Sequence, residues 1–99
     1  MSADFRLRYL QTDLGLRHVG EDQQMYLAGL LTQAAAFVQR RGVALDEGSD
    51  ADDMLVAMVA AWMYRARATA TQPPLPPMIR CEIHDRLAAQ KMRGDSDDL

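Results

Sequence analysis

The sequence predicts an all-α domain of four helices, with a proline-rich connector before the last. Three observations predict it. Every periodic stretch repeats near 3.6 residues and none alternates apolar with polar. The first periodic stretch stops near Gly15 and the second at Gly42, a C-cap glycine that tolerates the left-handed conformation. The segment "TQPPLPP", residues 71–77, cannot continue a helix, because each proline lacks an amide donor and restricts the residue before it.

The first helix is expected from Asp4 to about Asp13, where Leu7, Leu10 and Leu14 recur at helical spacing and Asp4 is placed to cap. The second is expected over "EDQQMYLAGLLTQAAAFVQRR". Its Leu27, Leu30, Leu31, Ala34, Ala35 and Val38 form one face, and its acidic start and basic end suit the helix dipole. "ALDEGSDADD" has turn formers and acids without periodicity and reads as a solvated loop, in which Ser49 and Asp52 resemble a capping box. The third helix is expected from Asp50 or Ala51 to about Ala70. It is apolar on all sides through Tyr64, as a central post would be. Pro77 suits the first position of the fourth helix, along which Ile79, Ile83 and Leu87 make a narrow i, i+4 stripe. Residues 1–94 thus read as one helical domain and 95–99 as an acidic disordered tail.

Composition narrows the function. A chain of 99 residues, 48% hydrophobic and 25% charged, has the apolar content for one folded core and no second. The lone Cys81 excludes an internal disulfide, and "MSADFRLRYL" lacks the apolar core of a secretory signal, which points to a reducing cytoplasm. The longest apolar run, Met54 to Tyr64, is eleven residues against the ~18 that a membrane helix needs. Charge is uneven: +1 over residues 1–45, −5 over 46–53, +4 over 54–94 and −3 over 95–99. A pI near 5.2 argues against a free DNA-binding domain, which is usually basic throughout.

No catalytic constellation emerges. Cys81 and His84 share a helix face, but a structural zinc needs four ligands, and a cysteine nucleophile needs an oriented base. The acids of residues 46–53 lack calcium-loop spacing, "RGD" at Arg93–Asp95 matches an integrin motif by letter alone, and no glycine loop could cradle a phosphate. No cofactor is expected. Arg40, Arg41, Arg65 and Arg67 could form a basic patch, or could satisfy helix C-terminal carbonyls and nearby carboxylates. Trp62 and Tyr64 suit core or interface anchors, and seven methionines add adaptable packing surface.

Taken in order, these features resemble the small helical head-tail connector, or adaptor, proteins of tailed phages and prophages. Leu10 and Asp13 close a short first helix, and "EDQQMYLAGLLTQAAAFVQRRG" carries the acidic start, apolar face and terminal glycine. After a variable loop, the apolar third helix ends in Tyr64-x-x-Arg67, and "LPPMI" leads to Arg86 and Leu87. The chain departs from the pattern at two places: the basic residue usual in the first helix has no aligned counterpart, only Arg6 and Arg8 nearby, and Ala68 replaces the acid that often follows the third-helix arginine. The resemblance implies a non-enzymatic protein made in the host cytoplasm and built into the virion neck. It would dock as a twelve-fold ring on the portal protein after DNA packaging and receive a neck or tail-completion protein. DNA would pass through the ring without sequence-specific binding, and no membrane is involved.

On this reading the proline elbow holds the last helix away from the bundle at a fixed angle, to meet a neighbour. Trp62, Tyr64, Arg65, Arg67, Leu75, Ile79, Ile83, Arg86 and Leu87 are the residues expected at the subunit or portal interface. Two other classes compete. A helix-turn-helix DNA-binding regulator would need basic and amide residues clustered on one exposed helix face, and no such face is evident. A dimeric partner-binding protein cannot be separated from the adaptor by sequence.

Overall fold

Two glycines decide where the first two helices end. Gly15 (φ +72) and Gly42 (φ +98) adopt the left-handed conformation that costs a glycine no side-chain clash. In both turns the next amide reaches back five residues: Leu16 donates to the Gln11 carbonyl at 2.9 Å and Val43 to the Val38 carbonyl at 3.1 Å. The glycine amides bond to Thr12 and Gln39, completing a Schellman turn each time. Val43 and Val38 are both buried, so the apolar contact that usually accompanies this turn is present at the second.

The computed structural model describes residues 2–46, 48–67, 69 and 73–97. Among them are four helices and no strand: α1 (Ser2–Leu14), α2 (Glu21–Arg40), α3 (Asp50–Ala66) and α4 (Pro77–Asp97). The all-α expectation holds, with differences at the ends. The first helix starts at Ser2, so Asp4 lies inside its first turn and does not precede it. The third stops at Ala66, short of Ala70. Arg67 and Thr69 turn their side chains back onto the carbonyls of Tyr64 and Ala66, taking up two of the last acceptors before the prolines. The fourth does not end at Gly94 but continues through Asp97, so residues 95–97 are helix and not the expected tail. Asp98 and Leu99 lie outside the described residues.

α3 is the central post. Leu55, Val56, Ala57, Val59, Ala60, Ala61 and Trp62 are all buried, because α1 and α2 flank the helix and also touch each other. Leu10 of α1 and Leu27 and Val38 of α2 are fully enclosed against it. Burying such a side chain contributes about 1.5–3 kcal/mol, so these positions hold the three-helix body together. α4 packs more slightly, against α3 and the turn after α2. Ile79 and Ile83 are buried there, and Leu87 approaches within 3.2 Å of where a Cβ on Gly42 would sit.

The acidic stretch before α3 overturns an expectation. Residues 46–53 are not wholly a solvated loop, since Asp52 and Asp53 are buried at the first turn of α3. Ser49 caps the helix, its hydroxyl accepting from the Asp52 amide at 3.3 Å. The capping box is only half made. The Ser49 amide donates to the Asp46 carbonyl at 3.3 Å, while the Asp52 carboxylate accepts from the Asp46 amide at 2.7 Å and from Arg86 of α4. Asp53 accepts from Arg6 of α1 at 2.7 Å. Two adjacent carboxylates at one helix start therefore tie down two other helices. Buried charges persist only when paired, which explains why both acids have arginines.

Candidate interaction surface

The nine residues expected at an interface divide into three sets. Trp62, Arg65 and Ile79 line a groove of about 340 Å³ between α3, the connector and the start of α4, with Asp13, Met58 and Met78 among its other walls. Leu75, Ile83 and Leu87 form the floor of a second groove, about 320 Å³, rimmed by Arg41, Arg80 and His84. Tyr64, Arg67 and Arg86 face neither. The grooves lie along α4, so the helix that joins the body least tightly borders both.

In the first groove Trp62 is 9% exposed and tilts against Phe37, ring centres 5.9 Å apart. Its indole N–H is buried without a hydrogen-bond acceptor among the described residues. Leaving a buried donor unmade costs about 1–3 kcal/mol, so packing must outweigh it here. Arg65 reaches across the rim to α1, bonding the Asp13 carbonyl at 3.1 Å and its carboxylate at 3.2 Å. That pair is largely solvated, which limits its contribution to about 1 kcal/mol or less. Met78, 71% exposed, stands at the lip as an adaptable apolar contact.

The second groove forms where α4 passes the end of α2. The Schellman turn at Gly42 lets α4 pass close to the end of α2, and Gln90 locks that crossing. Its amide donates to the Gly42 carbonyl at 2.9 Å and accepts from the Ala44 amide at 2.8 Å. Arg41, at the C-cap of α2, stacks over Phe37 at 4.5 Å. Arg80 and His84 stand one turn apart on the exposed side of α4. Among the described residues no carboxylate pairs with Arg41 or Arg80 within 4 Å. A concave apolar floor with a basic rim and no acid is the result.

Arg67 and Arg86 act within the chain. Arg67 is exposed, bonds the Tyr64 carbonyl and lies 3.6 Å over the Tyr64 ring, while Tyr64 meets Tyr26 of α2 edge-on at 6.4 Å. It closes the end of α3, one of the two roles open to the arginines in the sequence. Arg86 turns inward to Asp52 and, at 2.9 Å, to Glu82 one turn earlier. Ile79 and Ile83 are likewise buried in this chain, so only their groove-side surface is open to a partner. The first half of α4 is thus packed on the body and not held away from it. Its exposed stretch comes later, at Ala88, Ala89, Lys91, Met92 and Arg93.

Sequence reasoning missed Asp13, Arg80 and Gln90 as parts of this surface, and Asp52 and Asp53 as anchors. Asp52 and Arg86 are 34 residues apart, Arg6 and Asp53 47, and no local pattern relates either pair. Gln90 alone had a signal, since it extends the stripe of Ile79, Ile83 and Leu87 by one helical step. Cys81 is exposed on α4, and no three metal-ligating side chains converge among the described residues. Nor is any described helix long and apolar enough to cross a membrane. Compared with protein-family models, curated proteins and solved structures, the chain matches none.

Proposed function

We propose that this chain is a structural adaptor that assembles as a ring on a phage portal and links head to tail. The observation that supports it is convergence. Six of the nine residues to which the family resemblance points, Trp62, Arg65, Ile79, Leu75, Ile83 and Leu87, line two open, apolar-floored grooves along one helix. Such grooves suit side chains of an adjoining protein. In a closed ring each copy offers one face to the next, and many modest contacts add up to a stable assembly.

The reading has the ring lengthen the DNA channel after packaging and present a platform for a neck or tail-completion protein. DNA passes through it without base recognition. The test is electron microscopy or co-sedimentation of the protein with the portal from the same genome. A ring of additional density beneath the portal is the expected result. No binding to packaged heads, together with tight sequence-specific binding to duplex DNA, would overturn the adaptor reading in favour of a regulator.

A further inference from the structure

We propose that the basic groove beside α4 receives the acidic segment 95–99 of a second copy of this chain, which deepens the ring reading and rests on it. The groove has three cationic or protonatable side chains at its rim, Arg41, Arg80 and His84, over a floor of Leu75, Ile83 and Leu87. No carboxylate of the described residues neutralises the two arginines. The chain carries a segment of matching character, "DSDDL", with three acids and an apolar leucine. Attraction between unlike charges favours that encounter, and an apolar residue then has a floor to cover. A bare phosphodiester backbone would match the rim but leave the floor unused.

Geometry excludes the copy's own segment. α4 is one continuous helix from Pro77 to Asp97, so Asp97 lies about 21 Å along its axis from Ile83. Asp98 and Leu99, the part of the segment beyond the helix, span about 7 Å at most. The groove at the start of α4 and the acids at its end therefore face different neighbours. A contact between unlike patches on identical subunits is heterologous, and repetition of it closes a ring or extends a filament.

The test uses charge reversal on each side. One full-length variant carries Arg80→Glu and His84→Glu, both at exposed positions of α4. The other carries Asp95→Lys, Asp97→Lys and Asp98→Lys. Association is read by sedimentation velocity at high protein concentration, and by copy number bound per portal. Each variant alone should associate about tenfold or more weakly than the parent. An equimolar mixture should regain assembly with alternating subunits, because each altered segment then meets a complementary groove. Raising salt from about 0.05 to about 0.5 M should weaken the parent's association.

Circular dichroism checks that both variants fold, and Arg80→Ala with His84→Ala replaces the first if it does not. Parental association in both variants overturns the groove contact while leaving the ring reading intact. Groove variants that lose assembly with no recovery on mixing exclude segment 95–99 as the occupant. Lost duplex-DNA binding with unchanged association assigns the groove to nucleic acid. A parent chain that stays monomeric, alone and with portal, overturns both proposals.

Discussion

Replacing Arg86 with Met should destabilise the protein by about 2–4 kcal/mol, although the residue lies at neither groove. The substitution keeps a long apolar stem and removes the guanidinium that faces Asp52. Asp52 is 4% exposed, so its carboxylate cannot recover the lost partner from bulk water. Breaking a buried pair by deleting one member costs about 3–5 kcal/mol. Two features reduce that figure here. Asp52 keeps the Asp46 amide at 2.7 Å, and it sits in the first turn of α3, where the helix dipole favours an anion. The Arg86 side chain is also 20% exposed, so solvent screens the pair in part and less is lost with it.

Urea denaturation of the parent, Arg86→Met, Arg86→Lys and Glu82→Ala measures this. Lys should be intermediate, since it cannot present the fork with which Arg spans Asp52 and Glu82. Glu82→Ala should cost about 1 kcal/mol or less, because that carboxylate is 43% exposed. The stability of a domain is about 5–15 kcal/mol, so the Met variant would lose a large part of it. A midpoint for Arg86→Met within error of that for Glu82→Ala would refute the claim that Asp52 anchors α4.

The other predictions follow from single contacts. Gly42→Ala should cost about 1–2 kcal/mol by thermal unfolding, through the left-handed φ and a methyl 3.2 Å from Leu87. Trp62→Phe should be neutral within about 1 kcal/mol, because it removes an indole N–H that has no acceptor among the described residues while keeping a ring against Phe37. Trp62→Ala should cost about 3–5 kcal/mol in the same denaturant series, and equal losses in the two would point to a missed hydrogen bond. Arg67→Ala should cost only about 0.5–1 kcal/mol, since the residue is exposed and its partners are the carbonyl and ring of Tyr64.

The sequence by itself determined the elements. Helical periodicity, the glycines at 15 and 42, the serine at 49 and the proline at 77 all act within a few residues of themselves, so a linear reading can weigh them. It also determined that α3 is central, because a helix apolar on every side has nowhere to sit but among others. Only the tertiary structure decided what the charges do. The same letter, Asp, stands exposed at residue 50 and buried at residues 52 and 53, and the difference lies in which side of α3 meets Arg6 and Arg86. Likewise, Arg41, Arg80 and His84 become one basic rim only because the turn at Gly42 admits α4 beside α2. Such pairings are set by packing between segments far apart in sequence, and local propensity carries no information about them.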